Sequence, residues 1–155
     1  MLKHLLILVL SMLPVMSLAS DSGECGNTCQ KEKVSEYFSL LSEIYKKGSD
    51  AEDIDALFKV LAPDVEYEHL TYGASFNREE WRGAFYSNLE RGAYKNEPGQ
   101  FIRVDNTIHG NNYVAVAYSY VLKSKDDSVQ PEGDQNLLAV FGFTNGKISS
   151  VKEYW

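Results

Sequence analysis

Four strand-like runs dominate the C-terminal part of the chain and limit the folds that it can adopt. They cover residues 101–109, 113–122, 136–143 and 147–155, and are rich in β-branched and aromatic residues. Asn145-Gly146 separates the last two runs. Asn-Gly between apolar runs indicates a type I′ hairpin turn, because both central residues need a positive φ. The pattern therefore predicts an antiparallel meander with one face to be covered.

Three amphipathic helices are predicted before the meander. The first covers residues 31–47, with apolar side chains three and four positions apart, and the second covers residues 50–63. The third begins after Asn77, a good N-cap residue with Glu80 at the capping-box position, and ends near Gly92. These helices could cover one face of the sheet.

A short strand is predicted between the second and third helices, at residues 64–70. Val65, Tyr67 and His69 alternate there with Glu66 and Glu68. Since successive side chains of a strand point to opposite faces, the first three should face the core and the two acids should face solvent.

The N-terminus has the pattern of a secretory signal peptide. A short basic start, an apolar run and the small-residue site Ser17-Leu18-Ala19 predict cleavage after Ala19, so residues 1–19 would be removed. A membrane anchor is less favoured, because the apolar run is short and Pro14 lies near its end. We expect a periplasmic or secreted protein with no membrane attachment after cleavage.

Residues 20–32 are interpreted as a flexible lead-in that contains Cys25 and Cys29. Export permits a local disulfide between them, and free thiols in a mobile tail are the alternative. Two thiolates without a nearby histidine are half of a zinc site, so no metal site is predicted. The formal net charge of −7 argues against nucleic acid and anionic membranes as partners.

The order of these elements resembles the nuclear-transport-factor-2-like superfamily, which includes SnoaL-like cyclases, ketosteroid isomerases and scytalone dehydratase. The resemblance is carried by residues 53–69, 76–85 and 141–155, and extends over residues 33–155. It implies an α+β cone, in which three N-terminal helices pack in the concave face of a strongly curved antiparallel sheet. It further implies a conical, mostly apolar pocket, no cofactor, and a homodimer formed through the convex face of the sheet.

Within this resemblance, the catalytic aspartate of ketosteroid isomerases falls on His69. A histidine at that position could transfer a proton near neutral pH. The alternative is a histidine that closes the apolar face of its strand and bonds to the backbone. The tyrosine that holds the oxyanion in those enzymes has no direct match, because Leu41 occupies the nearest position, with Tyr37 and Tyr45 one turn away on either side.

Scytalone dehydratase uses two histidines, an aspartate and tyrosines, which suggests a second constellation around His69. His109, Asp105 and either Tyr118 or Tyr120 would complete it. Asp105 and His109 share a face if their strand is uninterrupted, since they are an even number of residues apart.

Further candidates are the side chains expected to line the cone. Most are aromatic, and aromatic residues at these spacings are more often core than ligand contacts. The single acid could lie in the pocket, but a solvent-facing side chain is favoured for it. The predicted ligand-binding residues are Tyr67, Trp81, Phe85, Tyr118, Tyr120, Phe141 and Glu153.

Three functions remain open from the sequence. The first is an exported SnoaL-like domain that binds a small, largely apolar molecule in its cone. The second is a cofactor-free isomerase, cyclase or dehydratase with His69 as general acid or base. The third is a dimeric interaction module without a ligand. The sequence does not decide whether the protein is an enzyme.

Overall fold

The computed structural model describes residues 25–133 and 136–155. Three helices and seven strands follow in this order: α1 (Asn27–Tyr45), α2 (Ala51–Val60), β1 (Leu61–His69), β2 (Ala74–Asn77), α3 (Arg78–Glu90), β3 (Gln100–Gly110), β4 (Tyr113–Lys123), β5 (Val129–Pro131), β6 (Leu137–Thr144) and β7 (Lys147–Glu153). The predicted signal peptide and its cleavage site lie outside the described residues.

The seven strands form one sheet, and the predicted antiparallel meander is confirmed in β3, β4, β6 and β7. The strand order is β2-β1-β7-β6-β4-β3, with β5 paired to β4. All neighbours are antiparallel except β1 and β7, which run parallel. The parallel pair brings the C-terminal ends of β1 and β7 together at one end of the sheet. The predicted α+β class is therefore correct, with one parallel pair in a mostly antiparallel sheet.

The turn and the helix start that the sequence predicted are both observed. Asn145 and Gly146 have φ values of 51° and 73°, as a type I′ turn requires. Asn77 caps α3 by accepting hydrogen bonds from backbone N–H groups, and Glu80 closes the predicted capping box. Asp50 and Asp53 form a second capping box at the start of α2.

The first helix begins earlier than predicted, at Asn27. The prediction of a flexible lead-in is therefore wrong from Asn27 onward. Cys25 and Gln30 are only 2% and 1% exposed, and a disulfide joins Cys25 to Cys29. The Gln30 side chain donates to the Gly110 carbonyl oxygen over 3.0 Å. This contact is made with a distant strand, so the polar local composition did not indicate it.

Two short strands, β2 and β5, lie in segments for which the sequence predicted no strand. β2 pairs with β1, so that Phe76 lies opposite Tyr67. β5 pairs with the end of β4. Each gains its backbone hydrogen bonds from a longer neighbouring strand, and such pairing can override weak local propensity.

The core lies between α1 and the inner face of the sheet, which we define as the face that carries Tyr118, Phe141 and Val151. Tyr37 and Phe38 of α1 each contact the Phe141 ring, with centroids 5.0 and 5.6 Å apart. All five side chains are at most 1% exposed. Of the helices in the described residues, none is long and apolar enough to cross a bilayer.

Candidate functional site

Glu153 is a buried acid on the inner face, and two phenols bind its carboxylate. It is the last residue of β7 and is 7% exposed. The Tyr67 hydroxyl donates to one carboxylate oxygen over 2.6 Å, and the Tyr118 hydroxyl donates to the other over 3.0 Å. Trp155 Nε1 donates in turn to the Tyr118 hydroxyl over 2.6 Å. The expectation of a solvent-facing Glu153 is therefore wrong, because the residue continues the inward alternation from Val151.

The charge of Glu153 affects tyrosines on several elements. The pKa values of three phenols, those of Tyr67, Tyr118 and Tyr37, are raised well above their ordinary range. Burial is the larger cause, and the negative charge of the Glu153 carboxylate is the second. Burial also raises the pKa of Tyr45, with smaller contributions from Tyr120 and Glu153. All four phenols therefore stay neutral at physiological pH and can donate hydrogen bonds.

His69 lies beside Glu153 on the inner face. The two residues are Cα partners in the parallel register of β1 and β7. The His69 side chain is buried, with 5% of the residue exposed, and neither ring nitrogen has a hydrogen-bond partner among the described residues. Its ring packs against Tyr72 and Trp155, with centroids 4.4 and 4.7 Å apart. We call Glu153, His69, Tyr67, Tyr118 and Trp155 the cone site.

His109 and Asp105 do not join the cone site, so the predicted scytalone-dehydratase-like constellation is wrong. A β-bulge shifts the register between Val104 and Asn106. The extra residue changes the alternation, so Asp105 turns to the outer face, where it accepts hydrogen bonds from Arg103 and Ser119.

His109 stays on the inner face but binds the start of α1. Its Nδ1 donates to Gln30 Oε1 over 2.8 Å, and its Nε2 accepts from the Thr107 hydroxyl over 3.1 Å. Because the Gln30 oxygen can only accept, Nδ1 must carry the proton. Both ring nitrogens are satisfied, which is the arrangement of a structural histidine.

The other predicted lining residues divide between the core and the cone site. Trp81 stacks on the Tyr67 ring with centroids 4.6 Å apart, and so supports one side of the site. Phe85 packs against Phe58 and Trp81. Phe141 is fully buried in the core. Tyr120 lies 6.4 Å from Tyr118, ring to ring.

Sequence reasoning missed Tyr72 and gave too little weight to Tyr37 and Tyr45. Tyr37 belongs to the buried stripe of α1 and Tyr45 packs partly buried against the core, so their helical spacing could have placed both near the inner face. Tyr72 lies in the turn between β1 and β2 and is 73% exposed. Nothing in that turn sequence indicates that its ring covers a histidine.

An open groove of about 450 Å³ lies elsewhere, between α1 and β3. Of its charged lining residues, Glu43 and Lys46 pair with each other, and Arg103 pairs with Asp105. Ser42 on its floor donates to the Phe38 carbonyl and accepts from the Ile102 N–H. These polar groups already have partners within the chain, so a ligand would have to displace an existing bond to contact them. Across residues 25–133 and 136–155, no three potential metal ligands cluster together.

Comparison with solved structures identifies the fold. SalBIII, an epoxide hydrolase/cyclase-like enzyme in pyran ring formation in polyether salinomycin, is 22% identical, and the match covers 84% of this chain and 92% of SalBIII with a TM-score of 0.55. A SnoaL-like protein from Burkholderia thailandensis is 14% identical, with 83% and 95% covered and a TM-score of 0.54.

A protein with a ketosteroid-isomerase-like fold from Catenulispora acidiphila, in complex with trimethylamine, is 16% identical, with 80% and 85% covered and a TM-score of 0.51. No family model matches the sequence, and no curated protein matches it significantly. The chain has the nuclear-transport-factor-2-like fold, as the sequence resemblance predicted. At these identities the similarity defines the fold and no activity.

Proposed function

We propose that this is an exported protein that binds a small, largely apolar molecule at the cone site. The observation that carries the proposal is His69, a buried imidazole without a hydrogen-bond partner among the described residues. Leaving a buried polar group unpaired costs about 1–3 kcal/mol. A bound molecule with one polar group would supply the missing hydrogen bond.

The side chains that cover His69 are suited to movement. Tyr72 belongs to a turn and is largely exposed, and Trp155 lies outside β7, two residues after its last residue. Turns and segments that flank a strand open at a lower free-energy cost than the centre of a sheet. A ligand could therefore reach His69 by displacing these two rings, while the strands stay in place.

Two of the solved structures of similar fold support this proposal. The C. acidiphila protein holds trimethylamine, and SalBIII takes part in pyran ring formation. The first of these is a protein of similar fold in complex with a small organic molecule. This support comes from the fold, whereas the residues that would bind a molecule here are those of the cone site.

Native mass spectrometry of the protein exported by its own host tests the proposal. We expect a mass adduct on the wild-type protein that is reduced in His69→Gln and retained in His109→Gln, the same change at the other histidine of the inner face. An unliganded wild-type protein, or equal adducts on all three, would contradict the proposal.

A cofactor-free enzyme is the second candidate, favoured by the position of His69 beside a carboxylate. An unpartnered imidazole can accept a proton from a carbon acid. Conversion of 3-cyclohexenone to 2-cyclohexenone is a simple probe of such chemistry. We expect the rate to fall to background in His69→Gln. A wild-type rate at background would remove this candidate.

A homodimer through the sheet is a separate proposal that is compatible with either candidate. Four apolar side chains on the outer face are exposed: Ile108, Tyr113, Leu138 and Tyr154. A second copy could cover them. Analytical ultracentrifugation should show a dimer that Ile108→Lys dissociates, while Val129→Lys, at an exposed edge strand, leaves it intact. A monomeric wild-type protein would contradict the proposal.

A further inference from the structure

We propose that the molecule bound at the cone site is a cation, namely an amine or a quaternary ammonium compound with apolar substituents. The inference rests on the proposed function and specifies the class of ligand. It follows from the environment of Glu153, the nature of the surrounding rings, and the position of His69.

The Glu153 carboxylate has hydrogen-bond donors but no cationic partner within residues 25–133 and 136–155. Its two oxygens each accept one phenol hydroxyl, which leaves acceptor capacity on both. None of the ion pairs among the described residues includes it. Glu68, the acid on the outer face of the neighbouring strand, pairs with Lys152. Buried carboxylates are usually paired with a cation, so Glu153 lacks the partner that its burial calls for.

The walls around Glu153 are aromatic and favour a positive charge. Tyr67, Tyr118 and Trp155 are linked to it by hydrogen bonds, and Tyr45 and Tyr120 lie close enough to influence one another electrostatically. Aromatic faces attract ammonium groups, and alkyl substituents on nitrogen pack against the same rings. The carboxylate would repel an anionic ligand, as it already disfavours ionisation of the neighbouring phenols.

His69 adds a second polar contact that is independent of Glu153. His69 is only 5% exposed and lies beside Glu153 on the inner face, as its Cα partner on the neighbouring strand. A neutral imidazole has one nitrogen that accepts a hydrogen bond. The N–H of a protonated amine could therefore bind His69 or Glu153, whereas a quaternary ammonium group would rely on charge and ring contacts alone.

A pair of matched probes tests the inference. Choline and 3,3-dimethylbutan-1-ol have the same shape, but the first carries a quaternary nitrogen where the second has carbon. Binding of each to the protein would be followed by protein NMR at about pH 8, above the range in which histidine ordinarily titrates. We expect choline to bind about tenfold more tightly than the neutral alcohol, which corresponds to about 1.4 kcal/mol.

Substitutions at two glutamates and one tryptophan test whether the preference for choline arises at the cone site. Glu153→Gln should remove most of the tenfold preference, whereas Glu66→Gln, which makes the same change at an exposed position on the outer face, should leave it unchanged. Trp155→Leu should weaken choline several-fold and provides a second variant if Glu153→Gln fails to fold. Circular dichroism would establish that each variant is folded.

Three other outcomes are possible, and each of them would overturn the inference for a different reason. Equal binding of both probes, insensitive to Glu153→Gln, would refute the cation and leave the proposed binding function standing. A choline preference that survives both Glu153→Gln and Trp155→Leu would place cation recognition elsewhere. If neither probe binds the wild-type protein, the cation inference fails, and the native mass spectrometry decides the binding function separately.

Discussion

The inner face of the sheet carries two histidines in opposite situations. At one end, His109 donates to Gln30 and accepts from Thr107, so both ring nitrogens are satisfied and the contact fastens α1 to β3. At the other end, His69 is more deeply buried and has no such partner among the described residues. The two residues have the same chemistry and share a face of the sheet.

The difference separates a structural site from a candidate binding site. Where every polar group is paired within the chain, a ligand would have to displace an existing bond. Where buried polar groups are left unpaired, a ligand gains what the fold lacks. The comparison thus assigns stability to the His109 end and binding to the Glu153 end, and each of the following predictions tests one side of it.

The largest effect is expected from alkaline pH, which acts on the buried phenols near Glu153. Tyr37 and Tyr118 are each 1% exposed, and burial and then Glu153 raise their pKa values. A raised phenol pKa gives stability that is complete below the unfolded value of about 10 and is lost as the pH rises above it. At about 1.4 kcal/mol per pH unit for each phenol, these two should lower the free energy of unfolding by about 3 kcal/mol between about pH 9 and pH 11.

Urea unfolding at several pH values would measure this loss. Tyrosinate absorbance should show that the buried phenols ionise only as the protein unfolds. If all tyrosines of a protein that is still folded ionised with the ordinary pKa of about 10, the Glu153 end would be open to water.

Removal of the Gln30 side chain should produce the next largest effect. Gln30→Ala leaves the Gly110 carbonyl and His109 Nδ1 without their partners, in a region where Gln30 itself is 1% exposed. We expect a loss of about 2 kcal/mol in chemical denaturation. Gln130→Ala, on the exposed strand β5, is the matched control and should cost less than about 0.5 kcal/mol. Equal effects of the two changes would show that the network at the His109 end contributes no stability.

Leucine substitutions at the two histidines should have opposite signs. His69→Leu exchanges an unpaired buried imidazole for an apolar side chain of similar size, and we expect stability to be unchanged or raised by about 1 kcal/mol. His109→Leu removes two hydrogen bonds and should lower stability by about 1–2 kcal/mol. Thermal unfolding of both variants would measure the difference. A large loss in His69→Leu would indicate that His69 has a structural role.

The sequence predicted most of the fold and part of the site. Alternation on β1 correctly placed Tyr67 and His69 on the buried face, and Asn145-Gly146 correctly marked a hairpin. The same parity argument failed on β3, because the bulge at Asp105 adds one residue that periodicity alone does not reveal.

Contacts between distant segments explain the remaining failures. Gln30 and Gly110 are 80 residues apart, and Tyr67 and Glu153 are 86 residues apart. Local composition favoured a mobile lead-in around Gln30 and a solvent-facing side chain for Glu153. Only the pairing of β1 with β7 brings His69, Glu153 and Trp155 to one end of the sheet.

The most direct test of the account is nitrogen NMR of the two imidazoles in ¹⁵N-histidine-labelled protein during titration with choline. The account predicts that the ring-nitrogen shifts of His69 change in a saturable way while those of His109 stay constant. Unchanged His69 shifts throughout the titration, or equal changes at both histidines, would contradict the assignment of binding to the cone site.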